Sequence, residues 1–437
     1  MDALPDAIVQ FILSHISNVK DVSACNCVSK RWKESIPFIR SLYFPRGIFD
    51  DKMVDGDEVI GRMISSALCL EELIMYCPFS PASLASWLST KSQSLKHLEL
   101  RMNSITENKA STESSAQLDS IDAAKGLETL KLWGVLMTQT PKWSGFQRLH
   151  SLEIVGARLK DSVLSETIRA CPNLTNLTLL GCDGFRSVSI ELQQLEQCRL
   201  DFYGLGDCAI ALRSPKLQQL EIQGCSWIYV EKSHLLRSLS IANNSGKVCK
   251  VELGGRLPAL EFLTIRGVQW CWSAVSHVLQ CANEVKQLVM KIEFTGDNEL
   301  QPFPEIDFVE FFNNHPKLCK FEIHGAMFAA LCQKKSLRSL DSKFSIPCLE
   351  EVLITVRSPL NPEQKLSTLE SLVKHSKKLK KMVIRASQMK NCHTIADEFF
   401  EEMYGVEETA IGITIVANSF VTANSATQLR IDHSLLD

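Results

Sequence analysis

A short apolar pattern returns along most of the chain and constrains its architecture more than any other feature. An apolar residue is followed by two mostly polar ones, a second apolar residue, one spacer and a third apolar residue. It reads Leu70-Glu-Glu-Leu73-Ile-Met75, Leu95-Lys-His-Leu98-Glu-Leu100, Leu127-Glu-Thr-Leu130-Lys-Leu132 and Leu149-His-Ser-Leu152-Glu-Ile154. It continues through Leu174/Leu177/Leu179, Leu195/Cys198/Leu200, Leu217/Leu220/Ile222, Leu236/Leu239/Ile241 and Leu260/Leu263/Ile265. Looser copies are Val285/Leu288/Met290, Leu318/Phe321/Ile323, Leu349/Val352/Ile354 and Leu379/Met382/Ile384. About thirteen copies recur at spacings of roughly 20–33 residues, the signature of an array of repeats.

The last two apolar positions of each copy lie two residues apart, so in an extended strand they point into one shared core. The residue between them faces out. Helical segments are expected between copies at Asp161–Ala170, Trp272–Cys281, Ile306–Asn313 and Pro362–His375. Prolines at Pro172, Pro215 and Pro316 would stop the preceding segment and align the next strand. One unit cannot bury its own apolar face, but stacked units share a continuous core. The pattern therefore predicts an α/β fold over residues 46–385, a curved leucine-rich-repeat solenoid with parallel strands on its concave side.

Residues facing outward from the strands are Glu99, Lys131, Glu153, Thr178, Glu221, Ser240 and Thr264. Their mixed chemistry suits a protein or peptide target and offers no single-sign groove for a polyanion such as nucleic acid. Trp227 and Trp270 are candidates for an aromatic recognition patch on the same face, whereas Trp272, opening a helix, is expected in the core.

A chain of 437 residues exceeds what one core usually organises, in keeping with growth by repetition. The formal charge of −3 gives no global drive toward nucleic acid or anionic membrane. Sixteen cysteines are spread over the chain without a secretory leader before Leu4-Pro5-Asp6, and no apolar run is long enough to span a bilayer. Reduced thiols in the cytosol or nucleus are the expectation.

The first 45 residues follow a different rule. Leu4-Pro5-Asp6-Ala7-Ile8-Val9-Gln-Phe11-Ile12-Leu13 has helical apolar spacing, with proline and an acid in its opening turn. A polar break at Ser17-Asn18 leads into Asp21–Val28, and Ser29 is placed to cap a third helix through Lys30-Arg31-Trp32. Helices this apolar leave Leu4, Pro5, Ile8, Val9, Ile12 and Val28 as a hydrophobic patch that something must cover.

The order Leu-Pro-Asp, Ile-Val, Ile-Leu, Asp-Val and Cys25-Asn-Cys27-Val28-Ser29-Lys30-Arg31-Trp32 resembles the F-box motif. Followed by repeats, the chain is similar to the F-box/leucine-rich-repeat family, which is especially large in plants. The resemblance implies a three-helix F-box that docks on a Skp-type adaptor and through it a cullin scaffold, while the repeats hold a target protein. Carried over, Leu4, Pro5, Ile8, Val9 and Ile12 would meet the adaptor with Val28 in support, and Trp32 would lock the closing helix. Residues 345–385 are similar to the closing module of many plant F-box proteins, the FBD region. Beyond them, residues 386–437 read as a cap and tail, with a helix at Ala396–Tyr404 and a strand within Thr409–Val421.

Other signals are weaker. Gly204-Leu-Gly206-Asp-Cys-Ala209 matches a loose dinucleotide fingerprint, but Pro215 interrupts any long helix after it, so it reads as a repeat turn. The cysteines form no C-x-x-C pair, and no histidines accompany them at zinc spacing. The lysines from Lys374 to Lys381 suit the solvated end of a helix. Polar, Ser-rich Asn103–Asp119 is expected to be a mobile insertion. No cofactor, metal or catalytic activity is expected. The leading functional expectation is a substrate receptor of a ubiquitin ligase. A repeat scaffold or inhibitor unconnected with ubiquitination, and a small-molecule-gated receptor, are the alternatives.

Overall fold

Leucine pairs two residues apart become strands throughout the chain. The computed structural model describes residues 4–49, 55–102, 111–202, 207–231, 233–294, 304–333, 335–356, 361–386 and 412–417. The chain divides into two compact units, residues 1–204 with 208–217 and residues 205–207 with 218–437. The division falls inside the repeat array.

The first unit opens with helices α1 (Asp6–Ser14), α2 (Val19–Cys25) and α3 (Lys30–Ser35), then β1 (Ser41–Phe44). It continues with α4 (Gly56–Ser66), β2 (Glu72–Met75), α5 (Pro81–Thr90), β3 (His97–Arg101), α6 (Ser111–Ser120), β4 (Thr129–Trp133) and β5 (Leu136–Met137). After these come β6 (Ser151–Val155), β7 (Arg158–Leu159), α7 (Asp161–Arg169), β8 (Asn176–Cys182), β9 (Ser187–Glu191), β10 (Gln197–Phe202) and β11 (Ala209–Arg213). Strands β1, β2, β3, β4, β6, β8 and β10 pair in that order, all parallel.

The second unit carries β12 (Gln219–Gln223), β13 (Trp227–Val230), β14 (Ser238–Asn243), β15 (Lys250–Leu253), β16 (Phe262–Trp270), α8 (Trp272–Cys281) and β17 (Gln287–Phe294). It ends with α9 (Phe308–Asn314), β18 (Lys320–His324), α10 (Gly325–Leu331), β19 (Glu351–Val356), α11 (Pro362–His375), β20 (Lys381–Ala386) and β21 (Gly412–Ala417). Its parallel sheet runs β12, β14, β16, β17, β18, β19, β20, β21. Every copy of the sequence pattern is a strand of one of these sheets. The arrangement is α/β with parallel strands in register, compatible with a repeat solenoid.

The repeat is locked at the same place in each copy. The residue after the first leucine donates its N–H to the carbonyl of its equivalent one repeat earlier: Glu71 to Arg40, Lys96 to Glu71, Glu128 to Lys96, His150 to Glu128, Thr175 to His150 and Glu196 to Thr175, at 2.8–3.0 Å. The second unit repeats it from Arg237 to Gln218 through Lys380 to Glu350. Polar backbone that a turn would leave unpaired is thereby satisfied by the neighbouring repeat.

Several expectations need correction. The outer layer is not helical throughout. Where the return is short, as from Leu200 to Ile222 or Ile222 to Ile241, the chain suffices only for a second strand, and β9 with β11 and β13 with β15 form parallel pairs. Longer returns, as from Ile265 to Met290 or Ile323 to Ile354, wind helices. The stretch ending at Asp119 is not wholly a surface insertion. In α6, Gln117 and Leu118 are buried, and the Gln117 side-chain amide donates to Phe79 O at 3.2 Å. Strand β1 carries the same pattern as Ile39-Arg-Ser-Leu42-Tyr-Phe44, with isoleucine in the first place, and was missed as a further copy. Residues 103–110, the Gly204–Gly206 turn and most of 386–437, including Ala396–Tyr404, lie outside the described residues. Strand β21 falls within the expected Thr409–Val421 strand.

One close approach fixes the second sheet. Gly267 has φ +104°, and a Cβ there would lie 1.9 Å from Asn243 O. Asn243 itself is fully buried. Its amide donates to Lys247 O at 2.8 Å and Gln269 O at 3.1 Å, while its Oδ1 accepts from Ser245 N–H at 3.2 Å and Ser245 Oγ at 2.7 Å.

Candidate functional site

The N-terminal helices build one candidate surface. Pro5 sets the start of α1, and Asn18 and Ser29 cap α2 and α3, accepting from Lys20 N–H at 3.0 Å and Trp32 N–H at 3.3 Å. Val9, Leu13, Val19, Val22 and Trp32 are buried among the helices, and Arg31 pairs with Asp6 across α3 and α1. Tyr43 N–H donates to Ser17 O at 2.7 Å, tying the helices to the first strand.

The opposite face of α1 stays uncovered. Pro5 and Ile8 are exposed, Leu4 and Ile12 are half-buried, and Val28 is exposed just before α3. Val9 is corrected: it points into the helical core and offers nothing to a partner. Phe11 was missed, yet at 63% it is among the most exposed large apolar side chains described. Its spacing of three from Ile8 was the available signal.

A second candidate surface lies on the open face of the first unit's sheet. Register places Tyr43, Ile74, Glu99, Lys131, Glu153, Thr178 and Arg199 side by side on consecutive strands. Lys131 pairs with Glu153 at 3.2 Å and sits over the Trp133 ring at 4.8 Å. Trp133 Nε1–H donates to Glu99 at 2.8 Å, and the Tyr76 hydroxyl donates to the same carboxylate oxygen. Tyr76 packs edge-on against Tyr43, with ring centroids 5.5 Å apart. Burial, then the hydrogen bond to Glu99 and its charge, push the Tyr76 phenol above its ordinary range.

The sequence-predicted residues Glu99, Lys131, Glu153 and Thr178 thus share one row. Glu221 begins the corresponding row of the second unit, in register with Ser240 and Thr264. Trp270 is corrected: it is buried, with Nε1–H donating to Arg266 O at 2.9 Å. Trp227 lies on β13, away from the strands that carry these rows, and donates to Glu252 at 2.9 Å. Tyr43 was not anticipated because β1 was not read as a copy of the pattern, and Tyr76 and Trp133 because they fall just past or at a strand end.

No other chemistry assembles among the described residues. They contain no group of three or more His, Cys, Asp or Glu able to hold a metal, and no helix long and apolar enough to cross a membrane. Cys171, Cys182 and Cys198 are buried free thiols, each pushed up to about 12 by desolvation.

Compared with known proteins, the chain is 56% identical over 405 residues to F-box protein At1g10780 of Arabidopsis thaliana, covering 92% of this chain and 97% of that protein. The chain belongs to the F-box protein family. No family model matches it. Membership agrees with the Leu4-Pro5-Asp6 opening and the Ser29-Lys30-Arg31-Trp32 close, and gives the uncovered face of α1 in this F-box protein a context.

Proposed function

We propose that this F-box protein is the substrate-recognition subunit of a Skp-cullin-F-box ubiquitin ligase. F-box proteins generally bind Skp-type adaptors, and the observation that carries the reading is the exposed apolar face formed by Pro5, Ile8, Phe11 and Val28 beside half-buried Leu4 and Ile12. Such a cluster beside a packed helical core is what a hydrophobic partner covers. The three helices act as the F-box, and the repeat array, read as a leucine-rich-repeat solenoid, holds the target protein. No residue of the chain performs bond chemistry. Its contribution is proximity, raising the effective concentration of target and catalytic assembly. Spread cysteines in a long chain of repeats suit a reducing cytosol or nucleus.

The test is titration of the purified chain with a Skp-type adaptor, beside a Leu4→Ala/Pro5→Ala variant. Loss of two interface contacts removes roughly 2–5 kcal/mol, enough to abolish a sub-micromolar complex. A folded wild type that binds no such adaptor overturns the ligase reading.

A further inference from the structure

Strands β17 to β20 of the second unit present an open face with a character of its own. Register aligns Val289, Glu322, Leu353 and Val383 across it. A depression of about 190 Å³ lies here, with Val289, Leu353 and Val383 among its apolar lining. Exposed Phe262, the register partner of Gln287, adds an aromatic edge.

The charges around this depression do not balance. Alternation turns Lys291, Lys320, Lys381 and Arg385 to the open face, against Glu293, Glu322 and Glu351. Lys291 is held by Glu322 at 2.7 Å and Lys320 by Glu351 at 3.3 Å, and Glu293 is itself engaged. Among the described residues, Lys381 and Arg385 make no ion pair. Both are exposed, and they lie on β20 two residues to either side of Val383.

We propose that this face binds an extended segment of the target in which one apolar residue is flanked, two positions away on each side, by aspartate or glutamate. The inference rests on the reading that the repeats hold the target. Residues two apart in a strand are about 6.6 Å apart, and an extended peptide has the same repeat. An acid-x-apolar-x-acid segment therefore sets its apolar side chain into the depression and its carboxylates against Lys381 and Arg385. The match holds for either chain direction, because the pattern is symmetric. The apolar contact supplies affinity, and the two cations supply selection against basic segments.

The experiment uses the full chain, titrated in parallel with a Skp-type adaptor and with two fluorescein-labelled peptides, Gly-Asp-Ser-Leu-Ser-Asp-Gly and its counterpart with lysine for aspartate. Fluorescence anisotropy is expected to give at least about tenfold tighter binding of the acidic peptide. Lys381→Glu/Arg385→Glu, both at exposed sites, is expected to reverse that preference, and Leu353→Asp to abolish binding of both. Thermal melting checks that the variants remain folded. Equal binding of both peptides, an unchanged preference in the charge-reversed variant, or binding only of a version with phosphoserine for aspartate overturns the proposal. Adaptor binding in the same preparation separates the two readings. Selection lost with adaptor retained removes this site alone, whereas selection retained without adaptor binding removes the ligase reading.

Discussion

Ile8 and Val9 are consecutive in α1, about 100° apart around the helix, and differ sharply in burial: Val9 is fully buried, and Ile8 keeps 43% of its surface exposed. The two positions therefore separate binding from folding. Ile8→Glu is expected to leave thermal stability within about 0.5 kcal/mol of wild type, as surface changes do, while abolishing adaptor binding. Val9→Ala is expected to cost about 2 kcal/mol of stability through lost burial and a cavity. Calorimetry of adaptor binding alongside thermal melting checks both. An Ile8→Glu chain that still binds its adaptor at wild-type affinity would remove α1 from the interface.

The approach of Gly267 to Asn243 predicts a large structural effect in the second unit, away from the N-terminal helices. Gly267→Ala forces a Cβ into the Asn243 carbonyl at a φ that disfavours side chains, and should destabilise the second unit by roughly 3 kcal/mol or more. Asn243→Ala strips hydrogen bonds from Ser245, Lys247 and Gln269 in a fully buried site and should cost about 3 kcal/mol. Adaptor binding through the helices of the first unit should survive both. Wild-type melting of Gly267→Ala would mean that the backbone relaxes freely there.

Tyr76 and Glu99 give a titration signature on the first unit's strand face. The folded phenol ionises above its ordinary value of about 10, so its stabilisation is complete below that value and is lost as pH rises beyond it. Ultraviolet difference titration should reveal one late-titrating tyrosine, absent in Tyr76→Phe. Glu99→Gln should move that step back toward about 10, since the carboxylate accepts the phenolic proton's hydrogen bond. A step that does not respond to Glu99→Gln would assign the shift to burial alone.

Much of this was legible from sequence because the signal is periodic. Leu98 and Leu100, or Leu239 and Ile241, repeat a spacing that only a strand facing a shared core explains, so strand positions and register followed directly. What filled the returns was less legible. Sequence around Ser187–Glu191 and Trp227–Val230 does not announce whether chain length permits a helix, and there it permits only a strand. Surface assignments were weaker still. Helical spacing grouped Val9 with Ile8, yet which side meets α3 depends on contacts between helices. Trp270 looked available because an indole's burial is set by the strands around it, which its own sequence does not name.

His315 offers the last test, an acid-sensitive point in the second unit. The ring is buried after α9, with Nδ1 2.7 Å from Phe311 O, an arrangement that a neutral imidazole satisfies by donating from Nδ1. Burial holds its pKa below the ordinary histidine value, more than the backbone hydrogen bonds raise it. A depressed folded pKa means the unfolded chain takes up the proton first. The stabilisation is therefore present above about pH 6.5 and is lost as pH falls below it. Wild type should lose about 2 °C or more in Tm between pH 7.5 and 5.5 in excess of the loss shown by His315→Leu. The variant starts lower, having lost the bond to Phe311, but its pH dependence is flatter. Parallel declines in the two proteins would show that acid acts elsewhere in the repeats.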